Sequence, residues 1–137
     1  MAWVVDTSVL LDIRIGEPRE IGERSADALQ SRVEQGLVVC PVTFIELAPA
    51  FGGRLAAERL WLTRLRISCS EPWLDADTDK AHAFWHLFIE RKRQKLPPKR
   101  PIADVLIAAF ASRFEGLITR NDSDFRSIAP DLPILVP

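Results

Sequence analysis

The chain opens Met1-Ala-Trp-Val-Val-Asp-Thr-Ser8, and that stretch constrains the fold more than any other. Trp3, Val4 and Val5 form an unbroken apolar run, the pattern of a strand buried on both faces. The run stops at Asp6. Thr7 and Ser8 then offer an N-cap before a second apolar run, Val9-Leu10-Leu11. A strand that feeds directly into a helix predicts an α/β architecture. Asp6 then falls at the carboxyl end of the first strand, the edge of an open α/β sheet where ligands bind. An acid that interrupts a buried run needs a partner there.

The remaining segments alternate in the same way. Leu37-Val-Val-Cys40, Ile67-Ser-Cys-Ser70, Leu117-Ile-Thr119 and Leu132 to Val136 read as further strands. Leu11 to Gly22 carries Gly16, Pro18 and Gly22 and reads as a loop. Ser25 is placed to cap a helix running to about Gln35, closed by Gly36. Thr43-Phe-Ile-Glu46 has the spacing of a capping box, and Pro49 inside the helical pattern implies that the helix either kinks or starts later. Leu55 to Leu65 is helical, and the side of it around Trp61 and Leu62 suits either the core or a partner. Asp77 or Thr78 caps a long amphipathic helix through about Lys95, burying Ala81, Phe84, Trp85, Phe88 and Ile89. Ile102 to Phe114 is a mostly apolar helix, and Asn121 to Asp124 forms a turn or cap cluster. These elements predict one domain over residues 1–137, of α/β class: a three-layer α/β/α sandwich with a mainly parallel central sheet.

Composition narrows the function without choosing it. With 137 residues, 47% of them hydrophobic and 27% charged, the chain suits a soluble domain with a sizeable core. No apolar run approaches the roughly 20 residues of a membrane span. The N-terminus has no basic region ahead of an apolar one, so no signal peptide is expected. Cys40 and Cys69 are expected to be reduced thiols in a cytoplasmic protein. A net charge of −1 leaves any nucleic-acid contact to local patches. One such patch is Arg91, Lys92, Arg93, Lys95, Lys99 and Arg100, which leads to Asp104. It reads either as an RNA-phosphate contact or as a solvated helix face.

Most acids sit in polar, helix-surface settings, but a few do not. Asp6 ends the first strand, Glu46 opens the helix after the second, Asp104 lies in the first turn of an apolar helix, and Asp122 and Asp124 come after the strand ending at Thr119. Each has a simple alternative: Glu46 in a capping box, Asp104 on a helix dipole, Asn121 or Asp124 as a cap. The predicted topology instead maps three of these positions to one strand-to-helix edge of the sheet, where they converge. There, each pair of carboxylates at ~4 Å repels by ~4 kcal/mol at an effective dielectric of about 20. A cation or raised pKa values must relieve that. Oxygen-only ligands favour magnesium or manganese over zinc. His82 and His86 lie one turn apart with no third ligand in view and read as surface residues. Carboxylate-held divalent ions serve phosphoryl chemistry, with Thr7, Ser8 or Thr119 orienting water or phosphate.

Four segments together resemble the PIN domains of VapC-type toxin ribonucleases from toxin–antitoxin pairs. They are Val4-Val-Asp-Thr-Ser-Val-Leu-Leu-Asp12, Val42-Thr-Phe-Ile-Glu-Leu47, Ile102-Ala-Asp-Val-Leu-Ile-Ala-Ala109 and Leu117-Ile-Thr-Arg-Asn-Asp-Ser-Asp-Phe125. The resemblance implies a magnesium- or manganese-dependent endoribonuclease. It implies metal-binding acids at Asp6, Glu46, Asp104 and Asp124, with Asp122 as the other candidate for the fourth place. It also implies hydroxyls at Thr7 and Thr119, a homodimer, and a cognate antitoxin. Two other readings compete: a PIN-like module that binds RNA or protein without cutting, and a haloacid-dehalogenase-like phosphatase. The phosphatase would need a second Asp where Ser8 stands. A receiver-like domain lacks a lysine after a late strand.

Overall fold

The computed structural model describes residues 1–91 and 101–137. Its strands are β1 (Trp3–Val5), β2 (Leu37–Val38), β3 (Ile67–Ser68), β4 (Gly116–Ile118) and β5 (Ile134–Leu135). Every pairing is parallel, in the order β3-β2-β1-β4-β5. Among the described residues seven α-helices connect them: α1 (Thr7–Ile15), α2 (Arg19–Gln30), α3 (Pro41–Glu46), α4 (Leu55–Arg64), α5 (Asp75–Arg91), α6 (Ile102–Ala111) and α7 (Asp122–Ile128). Short 3-10 turns occupy Val33–Gln35 and Ala48–Phe51.

The apolar runs of the sequence are explained by two separate cores. On one face, Val4, Val38 and Leu117 pack with Phe88 of α5, with Val105, Ala108 and Phe110 of α6, and with Phe125 of α7. On the other, Val5, Leu37, Ile67 and Ile118 pack with Val9 and Leu10 of α1, Leu29 of α2 and Leu62 of α4. Successive residues of β1, β2 and β4 therefore enter opposite cores, which leaves no position in those strands for a polar side chain; the edge strand β3 carries one, Ser68. This is the three-layer sandwich expected. Leu62 is fully buried and Trp61 packs on Phe51 at 5.4 Å, which assigns that side of α4 to the core.

Several element boundaries differ from the sequence reading, and each difference has a cause. Residues Leu11 to Ile15 continue α1 rather than forming a loop, and Gly16 ends it. Helix α2 starts right after Pro18, so Ser25 is not a cap but a buried mid-helix residue. Gly22 lies inside α2 because the helix crosses α1 there: a Cβ would stand 3.0 Å from the Asp12 carbonyl oxygen. Helix α3 begins at Pro41, which tolerates a first-turn position because its missing N–H has no helical partner there. Thr43 is thus already inside the helix and Glu46 is its last residue, so no capping box forms. Helix α5 starts at Asp75, ahead of both expected caps, and Ile89 is 37% exposed. The expected end of that helix near Lys95 lies outside the described residues, as do Lys92, Arg93, Lys95, Lys99 and Arg100 of the basic patch. Gly116 opens β4 in a space with no room for a side chain, since a Cβ would fall 2.5 Å from the Pro133 carbonyl oxygen and 2.7 Å from the Trp3 ring.

The strand order reverses direction between β1 and β4. Chain-adjacent strands β1, β2 and β3 run one way from that seam, and β4 and β5 the other. In parallel sheets a crevice opens at such a seam, beyond the carboxyl ends of the strands.

Candidate active site

Asp6 and Thr119 come immediately after β1 and β4 at this seam. The strands hand them to each other: the Asp6 amide donates to the Ile118 carbonyl at 2.9 Å, and the Thr119 hydroxyl donates to Asp6 Oδ2 at 2.7 Å. The Ser8 hydroxyl donates to the same Oδ2 at 2.7 Å. Asp6 is 2% exposed and sits at the N-cap position of α1 without capping it. Its Oδ1 accepts no hydrogen bond among the described residues.

Asp6 lines a cleft of about 390 Å³ with Thr7, Glu46, Asp104, Arg120 and Asn121. The first turn of α1 brings Thr7 against the end of α3. Its hydroxyl lies 2.7 Å from Glu46 Oε1 and 3.1 Å from Thr43 Oγ1. The side chains that read as a capping box therefore serve a tertiary contact instead. Asp104 occupies the first turn of α6 and has no cation or hydrogen-bond donor beside it among the described residues. Its pKa is pushed up from 3.8 to about 6, first by burial and then by the charges of Asp6, Asp124 and Glu46.

The sequence candidates thus divide. Asp6, Thr7, Glu46 and Asp104 line one cleft. Thr119 bonds Asp6 from beneath it, fully buried. Asp124 stands close enough to raise the Asp104 pKa. Asp122 instead faces Arg126 one turn along α7, at 3.6 Å. His82 and His86 are exposed on α5. Of the basic patch, Arg91 is described, and it donates to the carbonyls of Leu87 and Ile128.

Sequence reasoning gave no part to Asp12 or Arg120. Arg120 donates from Nε to Asp12 Oδ2 at 2.7 Å and from Nη2 to Asp12 Oδ1 at 2.9 Å. The bond to Asp12 raises the Arg120 pKa. Ser25 of α2 adds a hydroxyl to Asp12 Oδ2 at 3.2 Å. The one available signal was the position of Arg120, just beyond a strand end at the ligand edge.

The donor set suits a hydrated hard ion. Among the described residues, oxygens of Asp6, Glu46 and Asp104 remain without hydrogen-bond partners around a shared cleft, and burial together with the neighbouring acids raises the Asp104 proton affinity. Among the described residues no group of three or more His, Cys, Asp or Glu is placed to hold a metal ion. The cleft lining supplies carboxylate and hydroxyl oxygens, the donors that hard, partly hydrated ions such as magnesium take.

A model of the PIN domain matches residues 3–130. The chain belongs to the PIN domain family. A comparison with curated protein sequences gives no match. Among solved structures, this PIN domain is similar to a chain of VapBC2 from Rickettsia felis, crystallised bound to a DNA fragment from their promoter. The TM-score is 0.60 at 16% identity, covering 100% of this chain and 99% of that one. At that identity the likeness shows the fold alone, over the length of this chain.

Proposed function

We propose that this PIN domain, spanning residues 1–137, is a magnesium- or manganese-dependent endoribonuclease that acts as the VapC-type toxin of a toxin–antitoxin pair. The observation that carries the reading is the cleft at the β1–β4 seam, where Asp6, Glu46 and Asp104 keep carboxyl oxygens that have no partner among the described residues. Asp6, Glu46, Asp104 and Asp124 would hold the ion, with Asp124 favoured over Asp122 because Asp122 is drawn toward Arg126. When bound, the ion supplies a low-pKa water and offsets the charge of the phosphodiester.

The chain's own residues supply the placement. Thr119 and Ser8 hold Oδ2 of Asp6, which fixes the rotation of that carboxyl and turns Oδ1 over for a ligand. Thr7 holds one oxygen of Glu46 and leaves the other. Asp104, with its pKa raised to about 6, is mostly ionised at neutral pH and would face an ion as a carboxylate.

The fold shared with a VapBC2 chain supports a cognate antitoxin as partner. Exposed Ile45 on α3 and Leu55 and Leu60 on α4 offer apolar surface for it or for a second copy in a homodimer. Among the described residues no helix is long and apolar enough to cross a membrane, and an RNA substrate agrees with a cytoplasmic activity.

The test is cleavage of single-stranded and structured RNA by the purified protein with magnesium, with manganese and with EDTA. Cleavage is expected only with the ions. Asp6→Asn and Asp104→Asn are each expected to reduce it at least about 100-fold while RNA binding persists. RNA binding without cleavage under any ion would assign the chain to a non-catalytic RNA module instead.

A further inference from the structure

Arg120 stands out in the cleft because the charge balance there runs against any RNA substrate. The wall presents Asp6, Glu46 and Asp104, all acids, to a ligand that is itself a polyanion. Among the lining residues described, Arg120 is the cation.

Its geometry is that of a prepared binding group. Asp12 engages Nε and one hydrogen of Nη2, which is one of the two edges that a guanidinium can offer to a pair of oxygens. The other edge, formed by Nη1 and the second Nη2 hydrogen, has no partner among the described residues. The Arg120 side chain is 47% exposed, whereas Asp12 is 10% exposed and is steadied by Ser25, itself fully buried in α2. The Arg120 amide also approaches Ser8 Oγ at 3.4 Å, and Ser8 holds Asp6. The backbone that carries the arginine is therefore tied to the residue that ends β1.

We infer that Arg120 binds a phosphate of the RNA substrate through its open edge, with Asp12 acting as the positioning residue that holds the guanidinium in register with the acids. This rests on the nuclease reading. A guanidinium suits the task because it grips a carboxylate and a phosphate at once, each through two parallel hydrogen bonds. An ammonium makes no such double contact.

The experiment pairs two measurements on the full chain, for the wild type, Arg120→Gln, Arg120→Lys and Asp12→Asn. The first is affinity for a fluorescent single-stranded RNA in EDTA, across a salt series. The second is kcat and KM for RNA cleavage with magnesium. Both Arg120 variants are expected to bind RNA about tenfold more weakly. In Arg120→Gln the salt dependence should lose about 0.7 of a unit of slope, the share of one phosphate contact. KM should rise more than kcat falls.

Asp12→Asn separates positioning from bulk charge. Charge alone dictates that removing an acid tightens RNA binding, whereas loss of the grip on Arg120 weakens it. Weaker binding is expected. Tighter binding in Asp12→Asn, or unchanged affinity and KM in Arg120→Gln, overturns the assignment while wild-type cleavage keeps the nuclease reading intact. A wild type that neither cuts nor binds RNA removes both. If Arg120→Gln melts early, Arg120→Lys decides by the same comparison with thermal unfolding alongside.

Discussion

Two arginines flank β4, and each grips an aspartate with Nε and Nη2, but the surroundings differ. Arg113, before the strand, holds Asp77 at 2.6 and 2.9 Å and also donates to the Pro72 carbonyl. The rings of Phe110 and Phe114 lie 5.0 Å from its guanidinium. Asp77 is 1% exposed and accepts a further bond from the Leu74 amide. Hydrogen bonding to Asp77 raises the Arg113 pKa. This pair clasps the start of α5 to the end of α6 and leaves little unused. Arg120, after the strand, keeps an open edge in a cleft whose acids lack enough donors. A buried charge whose partners are complete holds a structure together. A cleft whose charges are incomplete is built for something that arrives later.

That contrast can be broken by removing one charge at a time. The largest expected effect is at the clasp. Asp77→Ala leaves Arg113 without its partner and is expected to cost about 3–5 kcal/mol in denaturant unfolding. A cost below about 1 kcal/mol would remove the distinction between the two ends of β4.

Removing a carboxylate in the cleft should act in the opposite direction. The Asp104 pKa lies above its ordinary 3.8, at about 6. The folded state thus holds this proton more tightly than the unfolded chain does. The resulting stability is complete below pH 3.8 and is lost as pH rises through about 6. Asp104→Asn escapes that loss and is expected to be more stable than wild type at neutral pH, by on the order of 2 kcal/mol. The two curves should converge on acidification in a series of melts. A destabilised Asn variant at neutral pH would show that Asp104 has a favourable partner.

Magnesium should stabilise wild type by about 1.4 kcal/mol at tenfold excess over its dissociation constant. The gain should shrink as pH falls below about 6, where protons compete for Asp104, and it should be weaker in Asp104→Asn. Thermal shift against pH and ion concentration measures both. The smallest effect is expected at the open fork. Arg120→Gln should change stability by less than about 1 kcal/mol, because the pair is half exposed. A loss as large as at Asp77 would make Arg120 a second clasp.

Legibility in the sequence depended on what each side chain does in the fold. The strands were legible because both faces of the sheet are buried, so Trp3-Val-Val5 and Leu37-Val38 had to be apolar throughout. Asp6 was legible because it breaks such a run. Helix starts were misread where cap-like residues serve other helices: Ser25 bonds Asp12, and Thr43 and Glu46 meet Thr7. The position of Arg120 beyond a strand end was visible, but its pairing with Asp12 was not, because the two are 108 positions apart. Spacing motifs report on neighbours along the chain, and a parallel sheet builds its ligand edge from residues that are not neighbours.

The bond from Thr119 to Asp6 spans 113 positions and sews the two halves of the cleft together. On a translating ribosome, Asp6 and Glu46 emerge long before Asp104, Thr119 and Arg120 exist. The crevice is therefore incomplete until the polypeptide past Thr119 clears the exit tunnel, and a chain abandoned partway through synthesis never assembles it.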